Sequence, residues 1–275
     1  MPVPEQFVLR EIHIYQGTFS EILNAQEVCS YIKNLLPGIP VSIHDEFVQH
    51  HVLRAPDAFQ SDKIHSLAEK FAGIKIIDPR TRERAAALLY GEIDYEKRRL
   101  GNTARQPSGI LYDGEKLLDL YNQVLPENDR GLHTLHVALT NQLFATWNHE
   151  DLQFHARTSI YGIPSVISMR GLVEAPARSR HYYLSRQMGL PQEALEEKLH
   201  GQFLTHDDTR MTAVMKGYIA QALFYHITGD PFCADPGCRL FNAHWQHELI
   251  HAQLESPYEF CPEHQSFLDR VRRTY

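Results

Sequence analysis

The chain has 275 residues, 43% hydrophobic and 22% charged, enough to bury a sizeable core in one large domain or two modest ones. A net charge of −7 and a pI near 6.2 argue against a nucleic-acid surface as its main business. No apolar run approaches the ~18 residues of a membrane span and no signal-peptide core follows Met1, so a cytoplasmic protein without a membrane partner is expected.

Residues 6–16 (QFVLREIHIYQ) alternate apolar and polar side chains and predict a first strand. AQEVCSYIKNLL is an amphipathic helix stopped by Pro37-Gly38, with Cys29 on its apolar side as a core residue. A second strand is expected in IPVSIHDEF, a helix over 57–72, a short strand in GIKIID and a charged helix over 81–99. The Gly-, Pro- and Asn-rich segment 100–114 is the best internal linker, and GEKLLDLYNQVL beyond it is helical.

The second half opens on one strand, LHTLHVALTNQLF, followed by a polar loop, TWNHEDLQFHAR. RTSIYG and PSVISMRGLV are two further strands; helices are expected near 191–200 and 207–228. Strands alternating with helices point to an α/β layer structure.

Chemistry concentrates between Tyr218 and Leu268, which holds three of the four cysteines and five of the seventeen histidines. Cys233-Ala-Asp-Pro-Gly-Cys238 folds two thiols around a Pro-Gly turn, and Cys261-Pro-Glu-His264 offers a second short-spaced pair. Two such pairs flanking a helix-length insert are what one tetrahedral zinc needs. Three thiolates and one imidazole leave no open position for a substrate, so this zinc would be structural and would fasten the C-terminal tail. Such cysteine usage suits a reducing compartment rather than a disulfide framework.

The same stretch contains His247-Glu248-Leu249-Ile250-His251. At i and i+4 two imidazoles share a helix face, and Glu248 can act as general base on a zinc-bound water. The alternative is an exposed, charged helix face formed by Gln246, His247, Glu248, His251 and Glu255. Glu255 and Glu259 are candidate third ligands, neither at a diagnostic spacing.

His226-Ile-Thr-Gly229-Asp-Pro-Phe232-Cys233, followed by Cys238 and Cys261-x-x-His264, resembles the archaemetzincins, zinc peptidases of archaea and some eukaryotes. Their pattern is HExxHxxGxxHC, four residues, a second Cys, then a later CxxC. His226 matches the second histidine, Gly229 the glycine, Cys233 and Cys238 the two cysteines; His264 replaces the last cysteine. Ala222, Leu223 and Phe232 stand where the first histidine, the general base and the third histidine would be, leaving His226 a vestigial ligand position. TSIYGIPSVISMRGL is similar to the strand run before that family's active-site helix, and the resemblance spans roughly 130–270.

The resemblance implies an α/β fold with a metzincin-like C-terminal half, a mixed sheet plus an active-site-type helix, and a C-terminal zinc site. It divides the chain into an N-terminal α/β segment, 1–105, and an archaemetzincin-like zinc domain, 106–275. His155, Arg157, Arg170, Arg180 and His181 are candidates for binding a carboxylate or phosphate beside a cleft. Three functions follow. One is a zinc metallopeptidase using His247, His251 and Glu248. Another is an inactive relative that keeps the structural zinc and binds a peptide, protein or anionic ligand. The third is an enzyme of another class using His155, Arg157, Arg170 and His181.

Overall fold

The computed structural model describes residues 9–17, 22–53, 60–82, 87–102 and 109–274. Parts of the expected first strand, second helix, charged helix and linker, at 6–8, 57–59, 83–86 and 103–108, lie outside the described residues. The protein is a mixed α/β chain in two compact units, one drawn from 8–21 and 41–171, the other mainly from 22–40 and 172–275.

The first unit holds both sheets. β1 (Glu11–Tyr15) lies between β2 (Val41–His44) and β5 (Thr134–Thr140), and β9 (Ser165–Ser168) follows, all parallel. β8 (Ser159–Ile160) closes the edge antiparallel, giving the order β2-β1-β5-β9-β8. Side chains alternate across a strand, so Ile12, Ile14, Val41, Leu135 and Val137 line one face. His13, Tyr15, Ser42, His44 and His136 line the other.

The second sheet has the order β3-β4-β6-β7, from β3 (Lys75–Ile76), β4 (Leu111–Asp113), β6 (Leu143–Asn148) and β7 (Gln153–Arg157). Here the expectations need correcting. The anticipated polar loop TWNHEDLQFHAR lies almost wholly in an antiparallel hairpin, with Trp147 paired to Phe154 and their rings 5.1 Å apart, edge to face. The single strand expected over LHTLHVALTNQLF breaks at Asn141-Gln142, because β5 pairs in one sheet and β6 in the other. Part of the linker segment pairs as β4.

Helices α2 (Gln60–Gly73), α3 (Tyr90–Gly101) and α4 (Gly114–Val124) complete this unit. Its core gathers Tyr15, Phe47, Phe71, Leu117, Tyr121 and Phe144. Asp113 starts α4 by accepting the Lys116 amide at 3.3 Å, an N-cap that satisfies one of the orphan donors of the first turn. After β9 the chain turns straight into α5 (Met169–Glu174), where the expected strand PSVISMRGLV ends; the Ser168 hydroxyl accepts the Gly171 amide at 2.8 Å.

The second unit is helical: α1 (Ala25–Leu35), α6 (Arg180–Gln187), α7 (Gln192–Lys198), α8 (Met211–Thr228), α9 (Gln246–Ile250) and α10 (Pro262–Thr274). α8 is apolar on almost every side and buried accordingly. Gly229 ends it in the left-handed region at φ 77°, donating to the Tyr225 carbonyl at 2.7 Å. α1 packs along α8, tied by Lys216 to Glu27 at 2.6 Å and by the Asn24 amide to the Thr212 hydroxyl at 3.0 Å. Cys29 is buried on the packed side of α1. Arg272 of α10 donates to the Leu35 carbonyl at 2.9 Å. Among the described residues, no helix is long and apolar enough to cross a membrane.

Candidate metal centre

The helical unit brings Cys233, Cys238, Cys261 and His264 together, with their ligand atoms all within 4.8 Å of one another. A zinc tetrahedron with Zn–S near 2.3 Å and Zn–N near 2.0–2.1 Å has edges of about 3.8 Å between sulfurs and roughly 3.5 Å from sulfur to nitrogen. Cys233 Sγ and Cys261 Sγ are 3.8 Å apart; His264 Nδ1 lies 3.9 Å from Cys238 Sγ and 3.0 Å from Cys261 Sγ. These separations fit one ion held by three thiolates and Nδ1.

Local sequence builds each half. The Cys233 amide donates to the Leu240 carbonyl at 2.9 Å, and the Cys238 amide to the Asp235 carbonyl at 3.0 Å, closing the turn. The Asp235 amide points at Cys233 Sγ at 3.3 Å, where it would stabilise a thiolate. The Asp235 carboxylate accepts the Gly237 amide at 2.9 Å and the Tyr258 hydroxyl at 2.9 Å. A Cβ on Gly237 would sit 2.5 Å from that hydroxyl oxygen, so Gly237→Ala is expected to push Tyr258 away and loosen the turn. The check is faster release of Zn(II) loaded into the protein to a chromophoric chelator, with helix content unchanged.

Cys261 precedes Pro262, the first residue of α10, which places its sulfur at the positive end of that helix. His264 lies in the first turn, its ring edge against Phe224 of α8 at 5.3 Å. Gln221 of α8 donates to the Arg239 and Phe241 carbonyls at 3.1 and 3.2 Å, pinning the loop after Cys238. The sequence reading missed Asp235, Tyr258 and Gln221 as supports, since none carries metal-binding spacing.

Burial sets the electrostatics. It pushes the Cys238 thiol up to about 12, raises Cys233 and lowers His264. Without a cation these groups are neutral, so a divalent ion must displace thiol protons to bind. Affinity therefore falls as pH falls.

The second motif is arranged differently. Trp245 caps α9, and Glu248, at its third position, turns back to accept the His244 and Trp245 amides at 2.9 and 3.0 Å. That is half of a capping box. Gln246 is the buried anchor: it accepts from the Leu204 amide at 3.0 Å and donates to the Leu172 carbonyl at 2.9 Å. His247 and His251 point to solvent, and the backbone widens into a π turn from His251 to Glu255. Among the described residues, the Cys233 set alone gathers three or more metal-binding donors within 4.8 Å of one another. His247 and His251 have no third donor gathered with them.

Ala222 and Leu223 are fully buried apolar residues of α8, and His226 is buried with them. The other candidates divide between the two units. In the sheet unit His155 pairs with Asp151 at 2.8 Å and Arg157 donates to the Thr146 hydroxyl at 2.7 Å, while Arg170 is half-buried. In the helical unit Arg180 and His181 are exposed in the first turn of α6. Sequence reading also passed over five histidines, at 13, 44, 50, 51 and 136, that gather in the sheet unit. Burial and the neighbouring His50 and His136 pull the His51 imidazole down to about 4.

The family model described as Probable metallopeptidase family (DUF6775) matches residues 8–271, and the chain belongs to that family. Among solved structures, a zinc-dependent peptidase from Methanocorpusculum labreanum (strain Z) matches at 16% identity with a TM-score of 0.40, covering 94% of this chain and 99% of that one. No curated protein matches.

Proposed function

We propose that this member of the probable metallopeptidase family is a zinc protein whose C-terminal ion is structural, and that it binds a peptide, protein or anionic ligand without cleaving peptide bonds at His247-Glu248-x-x-His251. The closed set of Cys233, Cys238, Cys261 and His264 carries the reading: four protein donors on one ion leave no position for a substrate or a reactive water. The commitments of α9 support it. Glu248 spends its carboxylate on the start of its own helix, and both histidines of the motif face solvent. On the archaemetzincin resemblance, Ala222, Leu223 and Phe232 stand in place of two ligands and the base, which explains why such a protein would lack a peptidase ion on α8 and keep the C-terminal one.

The test is Glu248→Gln. Zinc-loaded wild type and variant are expected to give the same background in a quenched-fluorescent peptide library, because Glu248 performs no chemistry. Glutamine retains one acceptor for the cap, so the stability cost stays below about 1 kcal/mol. Zinc-dependent turnover in wild type that Glu248→Gln abolishes would establish the peptidase and overturn the proposal.

A further inference from the structure

Three of the five overlooked histidines, His13, His44 and His136, lie on the polar face of the parallel sheet. His13 and His136 sit at one register level, with Ser42, and Tyr15 and His44 at the next. His50 and His51 follow on a π turn, Gln49–Leu53, just after β2. β1 has β2 on one side and β5 on the other, so the chain reverses its direction of travel across the sheet at this point. Open parallel sheets bind ligands beyond the carboxyl ends of their strands at such a reversal.

Hydrogen bonding sorts the rings. His136 Nδ1 accepts from the Tyr15 hydroxyl at 2.9 Å and Nε2 donates to the Asp129 carbonyl at 3.0 Å, so both nitrogens are used and the ring serves as a wall. It stacks on His13 with centroids 5.3 Å apart. Nε2 of His13 faces the Glu11 carboxylate at 3.3 Å, which holds the proton on that side and leaves a lone pair on Nδ1. That lone pair accepts from Nε2 of His44 at 2.7 Å, with the Ser42 hydroxyl beside it at 3.2 Å. His50 packs on His44 with ring centroids 4.5 Å apart, and His13 and His44 are at 4.9 Å. Imidazoles sharing one ion through bonds of about 2.0–2.1 Å place their centroids roughly 4.5–5.2 Å apart. Beside them the buried Nε2 of His51 has no hydrogen-bond partner.

We propose that the sheet unit carries a second metal site, with His13 Nδ1 and His44 Nε2 as a neighbouring pair of ligands and His50 as the third, for a divalent first-row ion of the zinc, nickel or copper class. Neutral imidazole suits these ions, and a nitrogen-dominated set is not the six or more oxygens that calcium or magnesium requires. The three imidazole donors do not yet lie within 4.8 Å of one another, and the 2.7 Å between His13 Nδ1 and His44 Nε2 is a hydrogen bond, shorter than the roughly 3.3 Å between two nitrogens on one tetrahedral ion. On binding, that bond opens, its proton moves to Nδ1 of His44, and His50 turns about its side-chain bonds to complete the set. Glu11 then plays the part of the carboxylate that orients a metal-bound imidazole. The site differs from the Cys233 set in one respect that matters experimentally: it contains no sulfur.

Full-length protein stripped by chelator and reloaded with Zn(II) is expected to take up about two ions per chain. Loaded with Co(II), the second ion should add no thiolate-to-cobalt absorption. His13→Asn with His44→Gln should remove that ion alone, Glu11→Gln should weaken it by ~10-fold, and His247→Ala with His251→Ala should leave it in place. Carbethoxylation read by mass spectrometry needs no variant: Zn(II) should protect His13, His44 and His50, while His247 and His251 react equally with and without metal. One ion per wild-type chain, loss of the second ion on changing His247 and His251, or His13 and His44 modified equally in both states would each overturn the proposal.

Discussion

Cys238→Ser is expected to release the C-terminal zinc and unfold the end of the helical unit. Cys238 is fully buried, and its sulfur lies 3.9 Å from His264 Nδ1 in a set whose four donors fall within 4.8 Å of one another. A serine hydroxyl does not ionise there and binds zinc weakly. Structural zinc sites return on the order of 10 kcal/mol of apparent binding free energy near neutral pH. Part of that sum holds Cys261 and α10 in place, so a loss of at least several kcal/mol is expected, enough to consume much of a domain's net stability. Metal analysis should show one zinc fewer per chain, and amide exchange along α10 should accelerate. Chelator applied to wild type should reproduce both effects, more readily at pH 5 than at pH 8, because the displaced thiol protons return as pH falls. A Cys238→Ser protein with unchanged zinc content and melting temperature would show that these four residues hold no ion.

Glu96→Ala is the second large expected effect, and it falls in the sheet unit. Glu96 is fully buried between Lys75 at 2.7 Å and Arg99 at 2.6 Å, and the Tyr112 hydroxyl donates to it at 2.9 Å. The Arg99 guanidinium also lies 4.7 Å from the centre of the Phe71 ring, where a cation is tolerated but not neutralised. Removing this carboxylate takes away the group that both nearly buried cations contact, which costs about 3–5 kcal/mol. Burial holds the Tyr112 phenol well above its usual range, so it stays protonated and cannot replace the lost charge. Urea unfolding should show a lower midpoint with the same slope. Adding Lys75→Met to Glu96→Ala should recover part of the loss, since the second change removes one of the stranded charges. A single variant within about 1 kcal/mol of wild type would mean that water reaches the site.

Some of this was legible in the residues alone. The thiol-thiol and thiol-imidazole pairs could be read because each fits within one turn of chain, where spacing constrains geometry directly. Helices α1, α4 and α8 were legible from their apolar pattern, and α8 begins four residues inside the expected 207–228 span. Helix α6 was missed although Ser179 caps it, accepting the Tyr182 amide at 3.4 Å; the arginines around it read as a charged approach. The β6–β7 hairpin was missed because Thr146, Asn148, Gln153, His155 and Arg157 suggested a polar loop, while the alternation of Ala145, Trp147, Phe154 and Ala156 between them marked strands.

His247-Glu248-Leu249-Ile250-His251 shows the limit of a motif. The same five residues suit a zinc ligand pair with its base or a helix that caps itself, and only the direction of the Glu248 carboxylate separates the two.

What the sequence alone determined was the composition of local groups: which thiols can share a turn and which helices have an apolar face. Tertiary structure alone decided which distant groups meet. It joined the two halves of the Cys233 set across a span of 28 residues, and it stacked His13 on His136 across 123 positions by pairing β1 with β5. Side-chain spacing along a helix or turn is set by backbone geometry that every sequence shares. Strand order and register depend instead on how the whole core buries its apolar faces, and no short stretch of residues carries that information.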